Sequence, residues 1–387
     1  MNSTSAPSST EIRISGDSHL SEPPDLWEKN LPTRYRDRAP RFPRIQLGKA
    51  LHSRQGGWDP IERLKDMAMD GISAELLFPT VAKGIYDQAS DDPDLAAACD
   101  QTYNDWLIEY CQEAPDRLWG QAFIGLWNID YAVKELERTR RAGLKAATIW
   151  VIPPDDLPFT SDHYERFWSA AEDLDMPISM HINTGFGLYS EGSEARAERG
   201  GENPIASAAR RAFGHKAAVA QTVTEMILSG VFERHPRLKL IIAEFGVGWI
   251  PYWLEDLDRK SSGPQRGLPL KPSEYFNRQV YATFEQDGVG GYLLQRWGAD
   301  NFLWANDYPH GGGIWPYSDD TIALTLGHLG PEVRRKVLGE NIARAFGLPM
   351  PEPMPRQPVP ENAETIWNRP WLKRLGEYTF DKPLMGL

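Results

Sequence analysis

Carboxylates and imidazoles stand at the ends of several short apolar segments, and together they could bind a metal ion. Asp17 and His19 end the first segment, His181 the fifth, Glu244 the sixth and Asp307 the eighth. Carboxylates held close together repel one another, and a bound dication removes that cost. Carboxylate oxygens and imidazole nitrogens are ligands for iron, manganese and zinc. The residue types therefore predict a metal site, provided that the fold brings these segment ends together.

Two further residues are candidates because of their spacing from this set. Glu22 follows His19 by three residues, and His310 follows Asp307 by three residues. We predict Glu22 as a further metal ligand, and His310 as a catalytic group or, in place of Glu22, a further ligand. Glu244 has two predicted roles, as a metal ligand or as a general base acting on a metal-bound water.

Eight short apolar segments alternate with amphipathic ones along the chain, as expected for parallel strands buried on both faces. This alternation predicts an α/β fold with a single (β/α)8 barrel of the TIM type. An open doubly wound sheet is less favoured, because no G-x-G-x-x-G motif follows the first segment. Active sites of such barrels lie at the carboxyl ends of the strands, where the candidate residues stand. The predicted strands are 12–16, 71–79, 117–126, 144–152, 176–182, 238–244, 278–284 and 301–307.

The barrel is predicted over residues 11–348, with a disordered leader at 1–10 and a C-terminal extension at 349–387. A long loop at 183–215 follows the fifth strand and could cover the mouth of the barrel. Basic residues of this loop, Arg196, Arg199 and Arg210, are candidates to bind a substrate carboxylate. The extension suggests a subunit contact, and hence a homodimer.

Composition excludes several classes of protein. The chain has 387 residues, and its 54 acidic against 42 basic side chains give a net charge of −12. This charge argues against nucleic-acid and anionic-membrane partners and leaves a small molecule as the expected substrate. Neither a signal-like start nor a membrane-length apolar run is present, so a cytoplasmic enzyme is expected. The only cysteines, Cys99 and Cys111, exclude a disulfide framework and a cysteine-based zinc site.

Several motifs resemble the amidohydrolase superfamily, in the branch named for aminocarboxymuconate-semialdehyde decarboxylase. The resemblance covers residues 12–348 and implies the (β/α)8 fold independently of the strand count. It also implies metal ligation by Asp17, His19, His181 and Asp307. The motifs are DSHLSEPPDLW (17–27), RLKDMAMDGISAELLFP (63–79), MHINTG (180–185), SGVFERHPRLKLIIAEFGVGWIP (229–251), WANDYPH (304–310) and LGENIARAFGL (338–348).

The sequence departs from the family pattern at two positions. Many members begin with H-x-H, whereas Asp17 stands in place of the first histidine. A glutamate has that place in the manganese-dependent benzoate decarboxylases, so a carboxylate there is compatible with a metal. Hydrolases and decarboxylases of the family carry a histidine at the end of strand six, where this chain has Glu244. A glutamate cannot act as a cationic acid near neutral pH.

The second departure favours a dinuclear iron or iron–manganese monooxygenase, because a small group of the superfamily resembles this pattern. Such an enzyme would bind two ions per chain and use O2 to hydroxylate an apolar carboxylic acid or its thioester. The alternative is a mononuclear manganese or zinc enzyme, either a hydrolase or a non-oxidative decarboxylase, acting on an aromatic or cyclic acid. A catalytically idle barrel serving as a partner subunit is a third possibility, and the intact ligand set argues against it.

Overall fold

Eight parallel strands follow one another around a single barrel in the order in which they occur along the chain. All of their residues are buried, which confirms the predicted (β/α)8 architecture. The computed structural model describes residues 11–41, 54–85, 91–185, 204–261, 267–310 and 313–359. The strands are β1 (Ile14–His19), β2 (Ala74–Phe78), β3 (Leu118–Phe123), β4 (Ala146–Ile149), β5 (Ile178–His181), β6 (Leu240–Ala243), β7 (Val280–Phe284) and β8 (Phe302–Trp304).

The barrel closes between β1 and the residues that follow β8. Asp307 donates its backbone N–H to the carbonyl oxygen of Asp17 at 2.9 Å, and His19 donates to the carbonyl of Tyr308 at 2.6 Å. Gly16 lies at this seam, where an added Cβ would come within 3.2 Å of the Leu303 Cβ. The closure therefore places Asp17 and Asp307 side by side, although 289 residues separate them along the chain.

Helices and short turns surround the barrel, and among the described residues no helix is long and apolar enough to cross a membrane. The α-helices are α1 (Leu26–Asn30), α2 (Pro60–Asp70), α3 (Pro93–Gln112), α4 (Ile129–Arg141), α5 (Glu165–Asp173), α6 (Pro204–Leu228), α7 (Val231–Arg234), α8 (Ile250–Lys260), α9 (Pro272–Gln279), α10 (Gly288–Trp297), α11 (Ser318–Leu326), α12 (Pro331–Arg335) and α13 (Asn341–Phe346), with a π-helical turn at Lys336–Glu340.

Local sequence signals set the ends of these helices. The Asp59 carboxylate accepts the N–H of Ile61 at 2.9 Å and so caps α2, which begins at Pro60. The same helix ends at Gly71, which has a φ of +71° that glycine adopts without steric cost. The loop predicted at 183–215 is shorter than expected, because α6 already begins at Pro204.

The segments predicted outside the barrel are only partly described. The leader at 1–10 and residues 360–387 of the extension lie outside the described residues. Residues 349–359 follow the amino-terminal end of the barrel, where Gln357 donates its N–H to Ala68 O at 2.9 Å and Met354 donates to Ser73 Oγ at 3.2 Å. The extension thus contacts its own barrel here, and the homodimer stays a prediction.

A buried ion pair connects α2 to the strands that carry the candidate site. The Arg63 side chain is fully buried, and its Nε donates to Glu75 Oε2 on β2 at 2.5 Å. Its Nη1 donates to the carbonyl oxygen of His19 at 2.7 Å. Arg63 therefore fixes the end of β1 as well as neutralising Glu75.

We expect Arg63→Met to destabilise the fold by about 3–5 kcal/mol, because the change leaves the Glu75 carboxylate buried without its partner. Urea unfolding followed by circular dichroism measures the loss. Arg166→Met is the control, since Arg166 pairs with Asp130 at the exposed surface and such pairs contribute about 0–1 kcal/mol. Equal effects of the two changes would contradict a structural role for the buried pair.

Candidate metal centre

Six of the predicted site residues converge at the carboxyl end of the barrel: Asp17, His19, His181, Glu244, Asp307 and His310. His181 Nε2 lies 3.3 Å from Asp17 Oδ1 and 3.4 Å from Glu244 Oε2. His19 Nε2 lies 3.5 Å from Asp17 Oδ1 and 3.6 Å from Asp307 Oδ1. Donor atoms that share one ion at about 2.1 Å lie roughly 3–3.5 Å from one another. The spacing is therefore that of a compact site able to hold a cation.

Two buried donor atoms in this cluster have no hydrogen-bond partner among the described residues, namely His19 Nε2 and Asp307 Oδ1. His310 Nδ1 lies 2.9 Å from Asp307 Oδ1, but the contact does not have hydrogen-bond geometry. Buried polar atoms are nearly always paired. An unpaired imidazole nitrogen beside an unpaired carboxylate oxygen fits a bound cation, which would satisfy both.

The outer nitrogens of the two imidazoles contact backbone carbonyls. His19 Nδ1 lies 3.1 Å from Pro79 O, and His181 Nδ1 lies 2.8 Å from Ile182 O. A carbonyl only accepts, so each Nδ1 carries the proton and each Nε2 presents a lone pair to the site. This arrangement of a ligating histidine and an outer carbonyl is common in metal proteins.

Two of the acidic residues have left-handed backbone conformations. Glu244 has a φ of +68° and Asp307 a φ of +50°. Such conformations cost non-glycine residues about 1–3 kcal/mol and often occur at functional sites. The Glu244 conformation is held by its N–H, which donates to Thr283 Oγ1 at 2.8 Å. Thr283 in turn donates to Asp17 Oδ2 at 3.4 Å, so one hydroxyl links the two acids.

Burial dominates the electrostatics of the site. It raises the pKa of Asp17 to about 7, and it raises the pKa of Glu244 to about 7 with a further contribution from Asp307. It lowers the pKa of His181 to about 3 and that of His310 to about 4. Without a metal, the imidazoles are therefore neutral and the carboxyls partly protonated at neutral pH.

Glu22, predicted as a ligand, is not brought into the donor cluster. Its carboxylate oxygens accept backbone N–H groups from Thr80 at 3.1 Å, Val81 at 3.1 Å and Ala82 at 3.0 Å. A carboxylate bonded to three amides has little capacity left for a metal. Glu22 instead fixes the turn that follows β2.

His310, predicted as a catalytic group, lies within the cluster: one of its ring nitrogens is within 4.8 Å of donor atoms of His19, Glu244 and Asp307. Its ring stacks on that of His19, with ring centroids 3.7 Å apart and an interplanar angle of 20°. Its Nε2 lies 3.3 Å from Thr80 Oγ1. This ring therefore covers the side of His19 and contacts Asp307 at the same time.

Two charged residues of the site were not among the predicted ligands. Glu285 follows β7 directly, and its Oε1 is buried without a partner among the described residues. The position of Glu285 after a strand is the same signal that identified the others. Lys83 lies on a single 3-10 turn, Ala82–Gly84, with its Nζ 3.3 Å from His181 Nδ1. No sequence pattern marks this lysine.

Three arginines were predicted as candidates to bind a substrate carboxylate. Outside the described residues lie Arg196, Arg199 and the side chain of Arg210.

Comparison with known proteins agrees with this geometry. A family model described as amidohydrolase matches residues 17–348. The chain belongs to the amidohydrolase superfamily. This result confirms the resemblance seen in the motifs, including the branch named for aminocarboxymuconate-semialdehyde decarboxylase.

Relatives within the amidohydrolase superfamily are similar in sequence or in fold. A γ-resorcylate decarboxylase from Rhizobium sp. is 27% identical over 264 residues, which are 64% of this chain and 76% of the relative. An amidohydrolase from Mycobacterium avium subsp. paratuberculosis has a TM-score of 0.72 at 19% identity, covering 87% of this chain and 99% of its own. A dihydroxybenzoic acid decarboxylase from Polaromonas sp., with bound manganese and the inhibitor 2-nitroresorcinol, has a TM-score of 0.65 at 21% identity, covering 87% and 97%.

The expectation of a dinuclear iron or iron–manganese monooxygenase is wrong. Curated relatives from Rhizobium, Polaromonas and Rhodococcus jostii are γ-resorcylate decarboxylases, and decarboxylation is not an oxidation by O2. The error came from Glu244, a single substitution at one strand end, which does not by itself indicate O2 chemistry. O2 is likewise not supported as a co-substrate.

Proposed function

We propose that this protein is a metal-dependent, non-oxidative decarboxylase of an aromatic carboxylic acid. The observation that carries the proposal is that His19 joins Asp17 and His181 on one side to Asp307 on the other, with donor atoms 3.3–3.6 Å apart and two of them without a hydrogen-bond partner among the described residues. The names of the curated relatives support the reaction class. The metal that we propose is Mn²⁺, because carboxylate ligands suit manganese and a similar decarboxylase structure contains it.

We propose one ion per chain rather than the two expected from the sequence. Among the described residues, two groups of side chains could hold an ion, and both include His19: one adds Asp17 and His181, the other adds Glu244, Asp307 and His310. His19 has only Nε2 available, because its Nδ1 faces Pro79 O, and one nitrogen lone pair binds one ion. The ligands in this proposal are Asp17, His19, His181 and Asp307.

In this proposal Glu244 delivers the proton that replaces the carboxyl group. Its side chain is 28% exposed, against 0% for Asp17 and 4% for Asp307, so it faces the mouth where a substrate enters. Without metal, burial and the neighbouring Asp307 raise the pKa of Glu244 to about 7, and the protonated carboxyl is the form that can donate a proton to substrate. A divalent ion, when bound, stabilises negative charge on substrate oxygens.

The proposed reaction needs no oxidant or reductant. The bond between the ring carbon and the carboxylate breaks, and its electron pair stays on the ring carbon. That carbon takes the proton of the Glu244 carboxyl, and the carboxylate leaves as CO2. His310, stacked on His19 and in contact with Asp307, holds both ligands in place during these steps.

The test is an assay of the Mn²⁺-loaded protein with 2,6-dihydroxybenzoate and 5-carboxyvanillate, the acids named for similar structures. We expect one CO2 released per substrate consumed, at the same rate in air and under argon. Absence of CO2 from both acids, with metal bound at one ion per chain, would argue against the decarboxylase.

We also expect the affinity for Mn²⁺ to fall as the pH falls below 7. Without metal, burial raises the pKa of Asp17 to about 7, and burial together with Asp17 raises the pKa of Asp307 well above its usual value, so both ligand carboxyls hold protons below pH 7. Metal binding needs the ionised ligand and therefore releases protons, which weakens binding by up to roughly tenfold per pH unit for each proton released. Calorimetry at pH 6 in two buffers of different ionisation enthalpy counts the protons. We expect about one to two, and a count of zero would contradict the raised pKa values.

A further inference from the structure

Lys83 lies at the mouth of the barrel, beside the proposed metal ligands, but it is not itself a ligand. It lies on the turn Ala82–Gly84, and the Glu22 carboxylate accepts the N–H groups of Val81 and Ala82 in that turn. Glu22, which follows β1, therefore fixes this turn. The Lys83 side chain extends from the turn toward His181. A loop fixed in this way presents its charge at a defined position.

The Lys83 ammonium has no good acceptor among the described residues. Its hydrogen-bond contact there is His181 Nδ1 at 3.3 Å. That nitrogen also faces Ile182 O at 2.8 Å and carries a proton, so it cannot accept from the ammonium at the same time. In the described part of the chain, no carboxylate oxygen lies within ion-pairing distance of Lys83 Nζ. A half-buried cation with unused donors is costly unless an anion completes the site.

We propose that Lys83 binds the carboxylate of the aromatic substrate. This inference rests on the proposed function and adds the group that recognises the substrate's charge. Asp17 and Asp307 balance a bound dication, and the Glu22 carboxylate is already engaged by the backbone amides of the turn. Among the described residues, the carboxylates of Asp17, Glu22, Glu244 and Asp307 act on Lys83 from beyond ion-pairing distance, so the carboxylate of an anionic substrate would be the direct partner of the ammonium. The ammonium donates to the carboxylate and holds it beside the ligand set.

The test compares the binding of two ligands that differ by one carboxylate, 2,6-dihydroxybenzoate and 1,3-dihydroxybenzene. Titration calorimetry is done on the full-length Mn²⁺-loaded protein with wild-type Lys83, Lys83→Met, Lys83→Arg or the control Lys65→Met, all in a Glu244→Gln background that slows turnover of the acid. Lys65 is an exposed lysine paired with Glu62. We expect Lys83→Met to weaken binding of the carboxylate roughly 10–100-fold, the usual loss for a charged hydrogen bond. Binding of the neutral ligand should change less than about twofold, and Lys83→Arg should restore most of the loss.

Three results would overturn this role for Lys83. One is an unchanged affinity of Lys83→Met for the carboxylate. Another is an equal loss for both ligands, which indicates a structural effect or loss of the metal. The last is a wild type that does not bind the carboxylate. If the wild type binds the acid through Lys83 but releases no CO2, the decarboxylase proposal fails and the lysine's role stands. If the wild type releases CO2 while Lys83→Met binds the acid normally, the decarboxylase proposal stands and the role of Lys83 fails.

Discussion

Replacing His181 by alanine is expected to abolish both metal retention and activity while leaving the fold intact. His181 Nε2 lies within 3.4 Å of the carboxylates of Asp17 and Glu244, and its Nδ1 is oriented by Ile182 O. Changes to groups that merely orient a ligand cost about 10–100-fold in metal affinity, so loss of the ligand itself should cost at least ~100-fold. Metal content after dialysis, measured by mass spectrometry, is the readout.

His163→Ala is the matched control for this change. His163 Nε2 also contacts a backbone carbonyl, that of Leu126 at 3.1 Å, but it lies outside the donor cluster. The control should retain one ion per chain and wild-type activity, and both variants should keep the wild-type circular dichroism spectrum. Stoichiometric metal in His181→Ala would mean that this imidazole is not a ligand.

The barrel and most of the site could be predicted because they depend on local sequence patterns. Short apolar runs with polar residues at their carboxyl ends predict parallel strands and the face at which those residues meet. Asp17, His19, His181 and Asp307 are all brought together at that face in the structure. The alternation of strands and helices along the sequence is enough to predict where these four residues lie.

The remaining features depend on contacts that no local pattern records. Glu22 follows His19 by three residues, as expected of a ligand, but its carboxylate binds the amides of the turn after β2. Lys83 reaches the site only because that turn is anchored there. The left-handed conformation of Glu244 is equally hidden, since glutamate rarely adopts it and its N–H is held by the hydroxyl of Thr283, which is distant in sequence. A residue's distance from a strand end therefore predicts proximity to the site but not its role.

Glu244 is where the sequence departs most from its family, and the structure gives it two possible roles. Its Oε2 lies 3.4 Å from His181 Nε2, so the two atoms are close enough to bind the same metal ion. Its side chain is also the most exposed of the three central acids, as a proton donor to substrate must be. Metal content and reaction rate separate the two roles, because a ligand affects both and a proton donor affects only the rate.

We expect Glu244→Gln to keep one metal ion per chain and to lose roughly 10²–10⁴-fold in decarboxylation rate, the usual size of an acid–base contribution. Glutamine preserves the shape of the side chain and removes the proton that the ring carbon must take. Metal analysis and CO2 release, measured on the same Mn²⁺-loaded preparations, give both quantities. Glu225→Gln is the control, because Glu225 lies on α6 in an exposed contact with Gln221. A glutamine variant that loses its metal would make Glu244 a ligand, and one that keeps the wild-type rate would remove it from the reaction.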